Sequence, residues 1–171
     1  FNIISWNVNG LRALMKKKVD GTQQNPVEHL IRSTQPAILC LQETKINPDN
    51  VDKLREEFAA LLPEYETHWN CCTAKKGYSG TAVFCRKAAE AASRPKKKQK
   101  TLSSMFGASK AATSNESESN AAVAARPVLD VRFDGVGCCE DEGRSITIEY
   151  DDFFVVAQYV PNAGQKLERL D

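Results

Sequence analysis

The chain has 171 residues, 42% of them hydrophobic and 26% charged, with a formal net charge of +1. That length suffices for one domain with a sizeable core, and the composition is that of a soluble globular protein. The near-neutral balance excludes bulk attraction to nucleic acid, so any such affinity must come from local patches. No apolar run approaches the roughly 20 residues that span a bilayer, and no signal peptide is recognisable, so no membrane partner is expected.

The chain opens without an initiator Met, inside an apparent strand, and closes on Lys166 to Asp171, which reads as the start of a helix; a fragment of a longer protein is expected. Phe1 to Val8 reads as a strand entering a loop at Asn9-Gly10. Asn25-Pro26-Val27-Glu28 carries a cap, a proline suited to the first helical position and an acid that can reach back, which predicts a short helix through Ile31. Ala37 to Leu41 is a continuous apolar run of strand length, and it delivers Gln42-Glu43-Thr44 at its C-terminal end. A second helix is predicted from Asn47-Pro48, with Val51, Leu54, Phe58 and Leu61 on one core-facing side, ending before Pro63. Thr81 to Arg86, Val128 to Phe133, Arg144 to Tyr150 and Phe153 to Val160 read as strands, the last two as a hairpin about Asp151-Asp152. Helices among the early strands, followed by a strand-rich stretch, suggest an α/β sandwich.

Cys71-Cys72 and Cys138-Cys139 are adjacent pairs, and with Cys40 and Cys85 they offer no C-x-x-C spacing for zinc. A chain that can bury a core also needs no disulfide framework, so reduced and partly buried thiols are expected.

Glu43 follows a strongly apolar strand, where a carboxylate suits the rim of a cleft; the alternative is a solvated loop acid paired with Lys45. Mg²⁺ needs only one or two protein oxygens and keeps its waters, so one carboxylate with a nearby amide oxygen is a sufficient partial cage. Asn7 and Asn9, two apart at the end of the first strand, point the same way and could supply or orient those oxygens.

Five segments occur in order: Ser5-Trp6-Asn7-Val8-Asn9-Gly10-Leu11-Arg12-Ala13, Leu41-Gln42-Glu43-Thr44-Lys45, Gly77-Tyr78-Ser79-Gly80, Glu142-Gly143-Arg144 and Tyr159-Val160-Pro161-Asn162-Ala163-Gly164. Together they resemble the exonuclease III type of apurinic/apyrimidinic endonucleases. The resemblance implies the N-terminal half of a four-layered α/β sandwich, the DNase I-like endonuclease/exonuclease/phosphatase fold. It also implies hydrolysis of the DNA phosphodiester 5′ of an abasic site, in base excision repair, with exonuclease or related 3′-end cleaning activity. In that reading Glu43 binds the metal, magnesium or alternatively manganese, and Asn9 lies in the ion's outer shell. Asn7 orients active-site groups, Tyr159 and Asn162 hydrogen-bond the scissile phosphate, and Arg12, Gly77, Tyr78 and Arg144 contact the DNA strand. Plain readings stand beside these: surface salt bridges for Arg12 and Arg144, packing for Tyr78. The downstream Asp-x-Asn motif and Asp-His pair of the resembled family do not occur, and His29 and His68 read as structural or solvated. The 171 residues alone are therefore expected to be inactive.

The domain is expected to comprise residues 1–86 and 127–171, interrupted by a low-complexity insertion, 87–126, too poor in large apolar residues to order. Within it Pro95-Lys96-Lys97-Lys98-Gln99-Lys100 reads as a nuclear import signal, a phosphate-binding run or a solvated patch. Gln99, Leu102, Met105 and Phe106 are spaced as in the peptide that docks on the replication sliding clamp, with Met105 where an aromatic is commoner. Two other functions stay open: a same-fold phosphodiesterase for lipid or inositol phosphates, and a non-catalytic truncated module that binds the clamp or DNA.

Overall fold

The computed structural model describes residues 1–88, 126–133 and 140–162. These hold seven strands and three α-helices: β1 Ile3–Asn7, α1 Leu11–Met15, α2 Pro26–Thr34, β2 Ile38–Gln42, α3 Val51–Leu61, β3 Tyr65–Asn70, β4 Thr81–Arg86, β5 Asp130–Arg132, β6 Ser145–Glu149 and β7 Phe154–Gln158. The insertion, its basic run and its clamp-like motif lie outside the described residues, except for the flanking Lys87, Ala88 and Arg126, as do Cys138, Cys139 and the residues from Ala163 onward.

The strands form a four-stranded sheet ordered β1-β2-β4-β3 and a three-stranded sheet ordered β5-β6-β7. β1 and β2 are parallel, as a helical crossover through α1 and α2 allows, and the other pairings are antiparallel. Central strand β2 is buried along its whole length, which is why its sequence shows no alternation. One face of the first sheet meets the helices through Leu39, Leu41 and Phe84 against Val27, Ile31, Leu54 and Phe58. The other face meets the second sheet through Ile38, Cys40, Val83 and Cys85 against Ile146, Ile148 and Ala157. The described layers are thus helix, sheet, sheet, an α/β sandwich as expected.

Several local expectations need correction. α2 runs on to Thr34, three residues past Ile31, and stops at left-handed Gln35 (φ 44). Asn25 caps it, accepting from the amides of Val27 and Glu28 at 3.0 Å, while Glu28 pairs forward with Arg32 at 2.9 Å instead of reaching back. The helix predicted from Asn47-Pro48 opens as a 3₁₀ turn at Pro48–Asn50 before α3 begins, and the Asn47 side-chain oxygen accepts from the Gly77 amide at 2.9 Å. The strand expected over Val128 to Phe133 pairs only across Asp130–Arg132. α1 and β3 were not foreseen. β3 mixes Glu66, Thr67, His68 and Asn70 with aromatics because one face lies on the helical core and the other is only partly covered. The hairpin between β6 and β7 is as expected, closed by the Tyr150 amide donating to the Phe153 carbonyl at 3.0 Å.

Candidate active site

The C-terminal end of β2 meets three loops at one rim of the first sheet. Backbone bonds lace them together: Gly10 N–H to Glu43 O at 2.8 Å, Leu11 N–H to Thr44 O at 3.0 Å, Thr44 N–H to Gly80 O at 3.0 Å and Lys45 N–H to Ser79 O at 2.9 Å. Asn9, Glu43, Lys45 and Ser79 all adopt left-handed backbone, with φ between 45 and 54. For residues with a Cβ such conformations cost about 1–3 kcal/mol each and persist where the surroundings enforce them, often at functional sites.

Glu43 is the centre of this rim. Its Oε1 accepts from Asn7 Nδ2 at 2.8 Å, and its Oε2 lies 3.3 Å from Lys45 Nζ. The Tyr159 hydroxyl stands near the same carboxylate and helps to lower its pKa. Asn7 foremost, with Tyr159 and Lys45, holds Glu43 below its ordinary pKa against a smaller opposing effect of burial, so it is ionised at neutral pH. Burial first and Glu43 second push Tyr159 above the usual phenol range, which keeps it protonated and able to donate.

Asn7 and Asn9 do converge, but not through strand alternation. The Asn9 amide turns back to donate to Asn7 Oδ1 at 3.1 Å, and Asn9 Oδ1 accepts from Lys45 Nζ at 2.5 Å. The Lys45 ammonium therefore sits between Asn9 and Glu43. The sequence offered metal ligation and pairing with Lys45 as alternatives for Glu43; the folded chain shows the pairing at a position where two oxygens face one cation. One carboxylate and one amide oxygen are hard donors of the kind Mg²⁺ accepts, so the residues fit the ion.

The second sheet supplies the other side. Arg144 is buried, at 8% exposure, and pairs with Glu142 through Nε. Its Nη2 donates to the Tyr78 hydroxyl at 3.0 Å, and its guanidinium stacks over Tyr159 at 4.8 Å and Tyr78 at 5.5 Å. It is an internal tie between two tyrosines, neither a surface ion pair nor an open cation. Its Tyr78 contact makes that ring more than packing. Gly77 and Asn162 are exposed near this end. Exposed Arg12 stands apart, in a shallow groove of about 190 Å³ with Lys16, Lys53 and Glu57. Lys45 as a bridge to Asn9, and Glu142 as the partner of Arg144, were not foreseen; their positions inside the quoted motifs were the only signal.

The endonuclease/exonuclease/phosphatase family matches residues 4–125 of this chain. The chain belongs to that family. Nucleases of the endonuclease/exonuclease/phosphatase family depend on a divalent metal. Among its relatives, an exodeoxyribonuclease of Bacillus subtilis is 35% identical across 99% of this chain and 46% of its own length. A DNA-(apurinic or apyrimidinic site) endonuclease of Dictyostelium discoideum is 32% identical across 99% of this chain and 33% of its own. An AP endonuclease structure from Leishmania major superposes with a TM-score of 0.58 at 25% identity, covering 98% of this chain and 42% of that one. This member of the endonuclease/exonuclease/phosphatase family thus spans less than half the length of each of these relatives.

Proposed function

We propose that this chain supplies the metal-binding and phosphate-binding half of a nuclease site that hydrolyses the DNA phosphodiester 5′ of an abasic nucleotide. The observation that carries the reading is the Glu43 carboxylate, held by Asn7 at 2.8 Å and sharing Lys45 with the Asn9 amide oxygen, on the rim that Tyr159 approaches from the second sheet beside Arg144. Glu43 and Asn9 would hold Mg²⁺, or Mn²⁺ in its place. When bound, that ion neutralises phosphate charge. Asn7 orients the Glu43 carboxylate, and Tyr159 with Asn162 donates to the phosphate oxygens as negative charge develops. Arg144 positions both tyrosines, while Gly77, Tyr78 and Arg12 offer contacts along the strand. An abasic sugar is inexpensive to turn out of the duplex because no base stacks there, which suits a site at an open rim. The names of the Bacillus and Dictyostelium relatives support DNA as the substrate over lipid or inositol phosphates.

The test is binding of an abasic duplex by the 171-residue chain, measured with and without Mg²⁺. Mg²⁺ is expected to tighten binding, and Glu43→Gln to erase that dependence while leaving the fold intact by circular dichroism. Equal Mg²⁺ dependence in the variant would remove Glu43 from the metal. No incision is expected, because neither an Asp-x-Asn motif nor an Asp-His pair occurs in these residues. Mg²⁺-dependent cutting by the purified chain would overturn that. The proposal includes nuclear residence, from the run at 95–100, and docking on the sliding clamp through 99–106. A peptide spanning Arg94 to Ala108 that gives no heat with the clamp in calorimetry would dispose of the docking.

A further inference from the structure

We propose that Glu66, His68 and Cys85 form a second metal site, selective for zinc, beneath the second sheet and separate from the nuclease rim. Glu66 and His68 are two apart on β3 and share the face turned toward the second sheet. Cys85 lies directly opposite Glu66 in the β3–β4 register, and His68 lies opposite Val83. One ligand atom from each, imidazole nitrogen, thiol sulfur and carboxylate oxygen, falls within 4.8 Å of the other two. Zinc bonds of about 2.0–2.3 Å put tetrahedral ligands roughly 3.3–3.7 Å apart, so side-chain movements of about 1 Å close the set.

A second observation points to a missing ligand. His68 Nε2 is buried and has no hydrogen-bond partner. Glu66 Oε1 stands 3.9 Å away, which allows attraction but no formed hydrogen bond. A buried ring nitrogen left unpaired loses its hydration with nothing in return, so its presence calls for a partner. Burial, the largest influence on this ring, favours the neutral imidazole, whose lone pair is the metal-binding form.

The surroundings suit zinc over magnesium. Sulfur and imidazole donors are poor ligands for a hard, tightly hydrated cation and good ones for borderline-soft Zn²⁺. Cys85 is fully buried, and the nearby Tyr150 hydroxyl acts to lower its pKa against the larger effect of burial, so an outer group able to favour a thiolate is at hand. Without metal, burial pushes the thiol up to about 12, so it keeps its proton. Binding replaces that S–H bond with an S–Zn bond and releases the proton to solvent. The Glu66 side chain is 37% exposed, which gives an entry path and leaves the fourth position for water. Along β4, Cys85 is four residues from Thr81 at the active-site rim, about 13 Å at strand rise. The ion would clasp β3 to β4 and take no part in phosphate chemistry. Cysteine spacing excluded a thiolate-only zinc site; a mixed set assembled across strands needs no such spacing.

The test is titration of the reduced 171-residue chain with Co²⁺ in excess Mg²⁺. One equivalent is expected to give sulfur-to-cobalt charge-transfer absorption with intense tetrahedral visible bands, both removed by Zn²⁺. Cys85→Ser should abolish the sulfur band, and Cys71→Ser with Cys72→Ser should leave it unchanged. Glu66→Gln, at the exposed rim, should weaken Co²⁺ about tenfold or more while keeping the band. Absence of the sulfur band in the wild-type chain overturns the proposal, as does its survival in Cys85→Ser. If Cys85→Ser loses its far-ultraviolet dichroism, Glu66→Gln decides, and unchanged Co²⁺ affinity there is equally fatal.

Discussion

At the scale of single residues, Glu43 gathers a carboxamide, a phenol and an ammonium around one half-buried carboxylate. Asn7 is the largest of these influences, which makes it the residue to vary. Asn7→Ala should return Glu43 toward its ordinary pKa and weaken Mn²⁺ binding about tenfold, as loss of an orienting partner usually does; calorimetry across a pH series reads both effects. The sign follows from linkage. Glu43 is depressed in the folded chain, so its stabilising contribution is complete above the ordinary carboxylate range and is lost as pH falls through the lowered value. In Asn7→Ala the loss of metal affinity should begin at higher pH. Glu43 itself was legible, because an acid closing an all-apolar run is conspicuous. The bridging of Lys45 to Asn9 was not, since it depends on left-handed backbone at Asn9, Glu43 and Lys45 that no periodicity encodes.

At the scale of elements, the glycines of the motifs have steric duties. Gly143 has φ 63, and a Cβ there would lie 2.5 Å from the Cys71 carbonyl carbon and 2.7 Å from the Asn70 carbonyl oxygen. Gly143→Ala should cost at least about 2 kcal/mol in urea unfolding, from left-handed strain plus backbone collision, and should loosen the adjacent Arg144. A loss below about 0.5 kcal/mol would mean that the loop shifts freely. β2 and α3 were readable because burial writes an unbroken apolar run or a helical stripe into the sequence. β3 escaped because its two faces serve different neighbours. Tyr65 and Trp69 enter the helical core, Asn70 donates to Ser145 O at 2.8 Å, and Glu66 and His68 face the second sheet. The result is neither alternation nor a run. α1 escaped because five residues anchored by Leu11 are too few to show a period.

At the scale of the molecule, the sandwich is covered on one side only among the described residues. Phe154 and Val156 of β7 stand 58% and 56% exposed on the outer face of the second sheet, with Leu129 and Phe133 nearby on the flanks of β5. Exposed apolar area of this kind promotes association. The 171-residue chain is expected to self-associate with rising concentration in sedimentation, and Phe154→Thr with Val156→Thr should shift it toward monomer; monomeric behaviour of the parent chain would contradict this. The overall α/β sandwich was legible from element order, and the packing of its sheets was not, since that depends on which alternate residues of β4 and β6 meet.

That packing has a consequence for the rim. Glu43 hangs from one sheet and Tyr159 from the other, so the gap between them is set by the apolar layer of Val83, Ile146 and Ile148 between the sheets. Those three side chains act as the spacer of a caliper: methyl groups that never meet a phosphate fix the width of the jaw that must close on one.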